Sequence, residues 1–465
     1  MSPTPFPTMK SSISTLLLSL LLPLGAVAAP RPNIVFILID DMGAADGGCF
    51  GSRYYRTPNL DQLAAESVKF TQAYASCAVC SPSRAAILTG KAPARLHITD
   101  WIPGEKAPTS SRLLLPDWQK SLPLSEKTLA EELKPLGYAT ASIGKWHLGG
   151  GHSPLDYGFD ISIGGGDTGQ PASYFWPYGK EGQAHRVPDL AAMGGGTGEY
   201  LTDRLTDEAL RFIESHRDTP FFLYLAHYAV HSPFMGKKEA VEEASKRPPA
   251  DGQGNPVYAA MLQSVDDSVG RILDKLKSLH IDENTIVVFT SDNGGAVHIG
   301  NPPATANGPL RMGKGFPYEG GLRVPLLMKA PGANRGTVCD VPVISHDFYP
   351  TLLELVGAPP ARHAIDGASF APALRGGRKS PHDGLFWHYP HYWFRGKVSP
   401  YSVAHVGDWK LIRFYEDNHE ELYNLRDDPS ERKDLVSSHP TERRRLGARL
   451  DRWLKEVGAQ MNPPR

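Results

Sequence analysis

The stretch NIVFILIDDMG at residues 33–43 decides the fold class, because an unbroken apolar run ends directly in two carboxylates. A second such run, TIVVFT at 285–290, ends in SDNGG at 291–295. Unbroken apolar runs are typical of strands that are buried on both faces of a parallel sheet. Two further runs, YATASI at 138–143 and PFFLYLA at 220–226, lead to lysine and histidine residues. Because ligands bind at the carboxyl ends of such strands, the four strand ends together predict an active site.

Amphipathic patterns with helical spacing alternate with these apolar runs. They occupy residues 59–67, 126–134, 199–215 and 258–279. Alternation of strands and helices predicts a doubly wound α/β domain, with helices on both faces of its sheet. We therefore expect the larger part of the chain to have an α/β fold.

The pattern changes after about residue 365. The chain then offers two strand-like segments and a charged helix, at residues 401–415, 420–425 and 440–457. Strands that follow one another closely in this way pair antiparallel. We interpret residues 29–365 as the catalytic α/β domain and residues 366–465 as a smaller α+β subdomain with a short antiparallel sheet.

The first 28 residues have the features of a secretory signal peptide. Lys10 provides positive charge, residues 13–24 (ISTLLLSLLLPL) form the apolar segment, and Ala26-Val27-Ala28 has the small-x-small form of a cleavage site. The apolar segment is shorter than the roughly 20 residues that a membrane-spanning helix needs. We therefore predict a signal peptide at residues 1–28, no stable membrane insertion, and a periplasmic or secreted mature protein.

The composition argues against two other classes of protein. The chain has 465 residues and carries 49 Lys and Arg against 50 Asp and Glu, a formal net charge of −1. Nucleic-acid-binding domains are usually strongly basic, so we expect no nucleic-acid partner. With 41% hydrophobic and 21% charged residues, the chain has the composition of a folded globular protein rather than a disordered one.

The four cysteines do not form a disulfide framework by number or spacing in a chain of this length. Cys77 and Cys80 are separated by two residues, a spacing that occurs in zinc and redox sites. No second pair of this kind follows, so a zinc site is not expected. The closeness of the two cysteines needs a different explanation.

Residues 80–90, CSPSRAAILTG, resemble the signature C-x-P-S-R-x-x-x-L-T-G of the type I sulfatases at every defined position. Four more motifs occur in that family's order: GKWHLG at 144–149, SDNGG at 291–295, YEGGLRVP at 318–325 and ELYNL at 421–425. The chain is therefore identified as a member of the formylglycine-dependent, arylsulfatase-like sulfatases, and it resembles bacterial polysaccharide and glycosaminoglycan sulfatases. The resemblance implies hydrolysis of sulfate monoesters and an alkaline-phosphatase-like fold with a mixed, doubly wound sheet.

The resemblance also implies that Cys80 is converted to formylglycine (3-oxoalanine), an aldehyde that becomes a gem-diol on hydration. A formylglycine-generating maturation enzyme would recognise residues 80–84. The local sequence suits this role, because Pro82 is favourable in the first turn of a helix and Gly90 at its end. Residue 80 then lies at the helix N-terminus, where negative charge is stabilised. Arg84, four residues later, can share a helix face with residue 80.

Four side chains at two strand ends offer only oxygen ligands for a metal ion: Asp40, Asp41, Asp292 and Asn293. Oxygen ligands without cysteine or histidine favour Ca²⁺ or Mg²⁺ over zinc, and several carboxylates favour Ca²⁺. The sulfatase resemblance implies one Ca²⁺, with residue 80 as a further ligand once it is formylglycine.

The resemblance assigns the remaining catalytic positions. Lys145 and His147 match the family's K-x-H pair, His231 matches its H-x-P position, and Lys314 resembles its second sulfate-binding lysine. In the mechanism that this implies, a diol oxygen attacks sulfur while Ca²⁺ and the two lysines neutralise the sulfate oxygens. His231 protonates the leaving oxygen, and His147 then removes a proton from the second diol oxygen so that sulfate is expelled.

The substrate is expected to be a sulfated carbohydrate. The segment RLHITDW at 95–101 resembles a loop of bacterial polysaccharide sulfatases that act on sulfated galactose or N-acetylgalactosamine. Aromatic faces and polar side chains bind sugar rings and hydroxyls, so we select a set of candidate substrate-binding residues: Asp100, Trp101, His152, His298 and Arg311.

Two alternatives remain open at this point. The first is a phosphodiesterase or phosphonate monoester hydrolase of the same superfamily, which would share the fold and differ in the leaving group. The second is a catalytically silent carbohydrate-binding protein, for which the catalytic side chains would be expected to be missing. The chain contains no GxSxG, HExxH or Walker motif that would point to another catalytic class.

Overall fold

A computed structural model describes residues 1–8, 31–300, 302–394 and 397–465 of the chain. The predicted signal peptide lies, except for its first eight residues, outside the described residues. Among the described residues, no helix combines the length and the apolar character that crossing a membrane would require. All four cysteines lie in the described part and are free thiols.

The strands form two main sheets and one short parallel pair. In chain order they are β1 (Asn33–Ile39), β2 (Val68–Phe70), β3 (Ala73–Tyr74), β4 (Ala139–Gly144), β5 (Ile161–Ile163), β6 (Phe221–Ala226), β7 (Thr285–Ser291), β8 (Leu326–Lys329), β9 (Thr337–Cys339), β10 (Val343–Ile344), β11 (Leu385–Tyr389), β12 (Tyr401–Val406), β13 (Trp409–Phe414) and β14 (Glu420–Asn424).

The α-helices fill the connections between these strands. They are α1 (Pro58–Ala65), α2 (Cys80–Thr89), α3 (Pro93–Leu96), α4 (Leu129–Leu133), α5 (Pro188–Ala192), α6 (Leu201–Ser215), α7 (Lys238–Ser245), α8 (Pro256–Ser278), α9 (Glu319–Leu322), α10 (Phe348–Leu355) and α11 (Pro440–Glu456). The four helices predicted from periodicity are found at α1, α4, α6 and α8. The second is shorter than predicted, because the side chain of Thr128 caps the first turn through the backbone N–H of Glu131.

The large sheet has eight strands in the order β5-β4-β6-β1-β7-β8-β2-β9. The strands from β5 to β7 are parallel, whereas β8 runs antiparallel to both β7 and β2. The fold is therefore the mixed, doubly wound α/β sheet that the sequence predicts. Because β1 lies between β6 and β7, the residues that follow these strands meet at one edge of the sheet.

Both faces of the central strand β1 are buried, which explains its unbroken apolar sequence. Ile34, Phe36 and Leu38 pack on one face with residues of α2, α4 and α10. Val35 and Ile37 pack on the other face with residues of α1, α6 and α8. Side chains of a strand alternate between faces, so a strand covered on both sides is apolar at every position.

The C-terminal sheet is antiparallel and has the order β11-β12-β13-β14. One of its faces carries a small hydrophobic core with α11, to which Leu411, Leu446 and Leu450 contribute. The other face packs against the segment before α2, where the indole N–H of Trp387 donates to the carbonyl of Ala75. Residues Arg31–Arg465 pack as one unit. The boundary at residues 365 and 366 stays a prediction.

Candidate active site

The carboxyl edge of the large sheet gathers charged residues from three strands. Asp40 follows β1, Lys145 follows β4 and Asp292 follows β7, and the side chains of all three are buried. Because β4, β6, β1 and β7 are consecutive in the sheet, these residues come within contact distance. The predicted meeting of strand ends is therefore present in the structure.

Asp40 and Lys145 form a fully buried ion pair. Lys145 Nζ lies 2.6 Å from Asp40 Oδ2, and neither side chain is exposed to solvent. Burial raises the pKa of Asp40 to about 8, and the nearby Asp292 and Asp41 add to this effect while Lys145 opposes it. The charge of Lys145 alone therefore does not offset the cost of burying an ionised Asp40.

Asp41 has a different environment, although it is the next residue. Its backbone is left-handed, with φ of 63°, which turns its side chain toward the loop after β7. Oδ1 accepts a hydrogen bond from Asn293 Nδ2 at 2.8 Å and lies 2.7 Å from Lys314 Nζ. Burial by itself would raise the pKa of Asp41, but Lys314, His231 and Lys145 together hold it well below its usual range.

Arg84 connects the signature helix α2 to two strand ends. Its Nε and Nη2 lie 2.9 and 2.8 Å from Asp292 Oδ2, and its Nη1 donates to the carbonyl of Lys145 at 2.8 Å. The guanidinium is fully buried. It therefore fixes the position of Asp292 and of the β4 end relative to α2.

Cys80 is the first residue of α2 and is almost completely buried. Its sulfur and carboxylate oxygens of Asp40 and Asp292 lie within 4.8 Å of one another. Burial raises the pKa of the Cys80 thiol, with Lys145 and Lys314 acting in the opposite direction. An unmodified thiol here would be protonated at neutral pH, and a protonated thiol is a weak nucleophile.

The signature residue Ser83 shapes the chain just before the helix. Its hydroxyl accepts from the backbone N–H of Cys77 and donates to the carbonyl of the same residue, both at 3.0 Å. Gly90 ends α2 in the left-handed conformation, with φ of 69°. A Cβ atom at that position would lie about 3.0 Å from the ring of Tyr349, so the close packing of this ring also favours glycine.

Two histidines face the same edge. His147 is buried, its Nε2 lies 2.6 Å from the carbonyl of Ile102, and burial followed by Lys145 lowers its pKa well below the usual value. His231 Nε2 lies 3.6 Å from Asp41 Oδ2. Burial, followed by Lys314, lowers the pKa of His231 to about 3. Without a bound anion, both imidazoles are therefore neutral near pH 7.

Tyr174 is a residue of this site that the sequence analysis did not select. Its hydroxyl lies within hydrogen-bond distance of two carbonyls of the loop after β6, those of Tyr228 at 2.7 Å and His231 at 2.8 Å. The tyrosine thus holds the loop that presents His231. Its position in a long irregular segment carries no motif, so no sequence signal pointed to it.

The oxygen-bearing side chains fit a divalent cation. Asp40 Oδ1 and Asn293 Oδ1 are buried and have no hydrogen-bond partner among the described residues. Buried acceptors without a partner are costly, and a hard cation would satisfy both. Asp41 and Asp292 add carboxylates beside them. The donor set therefore fits the predicted Ca²⁺.

Comparison with known proteins agrees with this geometry. Residues 32–358 match the family model named Sulfatase. The chain belongs to the sulfatase family. Residues 311–460 also match the model "N-sulphoglucosamine sulphohydrolase, C-terminal". As a member of this family, the protein is a sulfuric ester hydrolase.

Similar proteins include human sulfatases and a bacterial enzyme of known structure. The human N-acetylgalactosamine-6-sulfatase is 37% identical over 376 residues, which cover 76% of this chain and 68% of the relative. Human arylsulfatase A is 36% identical, with 80% and 74% of the two chains covered. Among solved structures, Ps i-CgsB has a TM-score of 0.77 and 30% identity, covering 91% of this sulfatase and 93% of that chain. The phosphonate monoester hydrolase of Agrobacterium radiobacter shares the fold, with a TM-score of 0.69 at 19% identity and coverage of 92% and 96%.

The five candidate substrate-binding residues of this sulfatase do not form one group. Asp100 is fully buried, and it accepts hydrogen bonds from the hydroxyl of Tyr389 and the backbone of Trp101. Arg311 donates to the hydroxyl of Tyr423 in the C-terminal sheet. His152 lies apart from them, 3.9 Å from Asp156, with its side chain 40% exposed.

Trp101 and His298 are placed differently. Both are half-buried, and each has a buried ring nitrogen without a hydrogen-bond partner in the part of the chain that the structure describes. The ring of His298 lies 4.7 Å from that of Phe316, two residues after Lys314. His298 therefore lies near Lys314, and roles for all five candidates remain predictions.

Proposed function

We propose that this sulfatase hydrolyses a sulfate monoester of a carbohydrate, with residue 80 as formylglycine and with one Ca²⁺. The observation that best supports this is the placement of Cys80 at the N-terminus of α2, beside Asp40 and Asp292. An unmodified thiol with a raised pKa suits this position poorly, whereas an oxygen nucleophile next to cations suits it well.

The sulfate group would be held by the two lysines together with the metal ion. Lys145 and Lys314 each pair with one carboxylate, Asp40 and Asp41 respectively. When Ca²⁺ is held by Asp40, Asp41, Asp292, Asn293 and residue 80, the carboxylates gain a second cation. The ion supplies charge neutralisation for the sulfate oxygens and for the nucleophile. The lysines are then available to donate hydrogen bonds to the sulfate.

The two histidines would carry the protons. A bound sulfate ester brings negative charge next to His231, and such a charge raises the pKa of an imidazole. His231 would then donate its proton to the leaving oxygen of the sugar. One hydroxyl of hydrated residue 80, in its ionised form, would attack sulfur while the bond between sulfur and the sugar oxygen breaks. His147, which is neutral, would then accept the proton of the second hydroxyl, so that the aldehyde re-forms and the C–O bond to sulfate breaks. Release of sulfate then needs no attack of water on sulfur.

The substrate is proposed from the relatives. One relative is named N-acetylgalactosamine-6-sulfatase, and Ps i-CgsB has also been crystallised with k-i-k-neocarrahexaose. We therefore propose a sulfated galactose or N-acetylgalactosamine as the sugar. From the predicted signal peptide we propose a periplasmic or secreted enzyme, and we propose the maturation enzyme as its partner.

The mass of the peptide that contains residue 80 tests the proposal. In protein made with the maturation enzyme, we expect this peptide to be about 18 Da lighter than its cysteine form. Cys80→Ala should lower turnover by about 10⁶-fold, as removal of the nucleophile does in a well-studied hydrolase. Cys77→Ala is the matched control, because Cys77 is buried nearby and takes no part in the chemistry. Normal turnover by Cys80→Ala would refute the mechanism, and an unmodified, inactive Cys80 would favour a silent carbohydrate-binding protein.

The leaving group is tested with paired substrates. Sulfate and phosphonate monoesters of the same alcohol both carry one negative charge, and they differ in the atom that is attacked. We expect the wild-type enzyme to prefer the sulfate ester in kcat/KM. A preference for the phosphonate ester would favour the phosphonate monoester hydrolase alternative.

A further inference from the structure

An aromatic side chain of the C-terminal subdomain lies next to the sulfate-binding lysine. The ring of Trp393 is centred 5.9 Å from Lys314 Nζ, and the same ammonium lies 2.7 Å from Asp41. Trp393 follows β11 and therefore comes from the antiparallel sheet rather than from the α/β domain.

Trp393 is held rigidly close to residue 80. Its backbone exchanges two hydrogen bonds with Val398, at 3.0 and 3.2 Å. Its indole covers Gly315, where a Cβ atom would lie only 2.0 Å from the ring, so that only glycine fits. The N–H of Gly315 donates to the carbonyl of Ala78 at 2.8 Å, two residues before Cys80. This chain of contacts fixes the indole beside the N-terminus of α2.

Further aromatic rings continue this surface. His298 lies 4.7 Å from Phe316 and 5.5 Å from Phe394, measured between ring centroids. Trp101, Phe316 and Trp393 pack against the same hydrophobic cluster. We define His298, Phe316, Trp393 and Phe394 as the rim cluster.

The rim cluster offers unused polar groups. Trp393 Nε1, His298 Nε2 and the neighbouring Trp101 Nε1 are buried atoms without a hydrogen-bond partner among the residues described. Leaving a buried polar group unpaired costs free energy, and a ligand with oxygen acceptors would remove that cost. Ligand sites in proteins combine aromatic walls with a few polar groups of this kind.

We propose that Trp393 is a specificity-determining residue that contacts the sugar ring of the substrate while Lys314 contacts its sulfate. The indole packs against the apolar face of the ring, and its N–H donates to a sugar oxygen. This inference rests on the proposed function, because it assigns the part of the substrate beyond the sulfate. The subdomain thereby takes part in choosing the sugar.

The test compares Trp393→Ala and Trp393→Phe with wild type in the full-length, formylglycine-containing enzyme. The kinetic constants are measured for a sulfated galactose or N-acetylgalactosamine monosaccharide, and inorganic sulfate is titrated as a competitive inhibitor. We expect Trp393→Ala to lower kcat/KM for the sugar sulfate about 10- to 100-fold, mainly through KM. Trp393→Phe should lose less, because it keeps the aromatic face. The inhibition constant of inorganic sulfate should change less than about threefold, since the proposal assigns sulfate to Lys314 and only the sugar to the indole.

Trp453→Phe is the matched control. Trp453 lies in α11, where its ring stacks on Phe386, so its replacement should leave all constants unchanged. An equal loss of sugar-sulfate turnover and sulfate inhibition in Trp393→Ala would overturn the proposal, because Trp393 would then only position Lys314. An unchanged KM would overturn it as well. A wild type that cleaves 4-nitrophenyl sulfate but no sugar sulfate would refute the proposed carbohydrate function itself, and the role of Trp393 with it.

Discussion

At the scale of single residues, two adjacent buried carboxylates of this sulfatase have pKa values that are shifted in opposite directions. Burial dominates at Asp40 and raises its pKa to about 8, although Lys145 is 2.6 Å away. At Asp41 the charges of Lys314 and Lys145 oppose burial, and the pKa is lowered. The balance between nearby cations and nearby carboxylates therefore decides the ionisation of these two adjacent residues.

Asp100 gives a prediction about stability and pH. Burial raises the pKa of Asp100 to about 8, although hydrogen bonds from Tyr389 and from the backbone of Trp101 and Glu105 oppose this effect. His391, 3.8 Å away, is neutral because burial lowers its pKa to about 3. Between pH 4 and 8 the folded state thus holds a proton that the unfolded chain releases. The free energy of unfolding should fall by up to about 1.4 kcal/mol per pH unit as pH rises through this window.

Asp100→Asn should remove this contribution, because the amide cannot ionise. Urea unfolding at several pH values between 5 and 8 measures the difference in slope between variant and wild type. Asp117→Asn is the control at an exposed carboxylate of the following segment. Parallel slopes for wild type and Asp100→Asn would show that Asp100 is ionised in the folded state.

At the scale of secondary-structure elements, strand β13 holds the loop that carries Lys314. The buried Lys410 of β13 lies 2.9 Å from Glu319 at the start of α9 and 2.8 Å from Glu431. Glu431 in turn accepts a hydrogen bond from the backbone N–H of Glu319 at 2.7 Å. Burial raises the pKa of Glu431 to about 7, whereas Lys410 and Arg323 overcome burial and lower the pKa of Glu319 to about 2. The C-terminal sheet therefore fixes the segment just after Lys314.

Replacing Lys410 should destabilise the enzyme strongly. Lys410→Met leaves two buried carboxylates without their shared cation, and breaking a buried pair costs about 3–5 kcal/mol. The double variant Lys410→Met/Glu431→Gln removes one of those charges and should recover part of the loss. Chemical denaturation of the two single variants and the double variant measures the coupling. Strict additivity would show that Lys410 and Glu431 do not interact.

At the scale of the whole molecule, a near-neutral chain concentrates charge at one edge of its sheet. The formal net charge is −1, yet Asp40, Asp41 and Asp292 are buried together with Arg84 and two lysines. Burying like charges is costly, so the folded state should be stabilised by a cation that binds among them.

Removal of calcium should therefore lower the melting temperature. A ligand that binds only the folded state at 100 times its Kd adds about 2.7 kcal/mol to the free energy of unfolding. Calorimetry with excess Ca²⁺ and with a chelator measures this shift. Asp292→Asn should reduce it, whereas Asp156→Asn, at a solvent-exposed carboxylate, should leave it unchanged. The absence of any Ca²⁺-dependent shift in the wild type would argue against the metal site.

Local sequence patterns are sufficient to predict the fold class, the strands β1 and β7, and the signature helix α2. These elements can be predicted because burial of both faces of a strand, and the capping of a helix, each require particular residue types at consecutive positions. The same patterns also selected candidate site residues, because parallel strands end at a common edge of the sheet. These residues are Asp40, Lys145, Asp292 and Cys80. The structure places these residues together, and their catalytic roles remain proposals.

The groups that surround that edge are set by the packing of distant segments of the chain. Tyr174 contacts a loop more than fifty residues away, and Lys410 meets Glu319 across the subdomain interface. Asp100 is enclosed by Tyr389 of β11, although its sequence position had suggested a sugar contact. Trp393 reaches Lys314 from the C-terminal sheet. Such pairings depend on how the antiparallel sheet packs on the α/β domain. That packing does not produce a periodic pattern of residues from which it could be predicted.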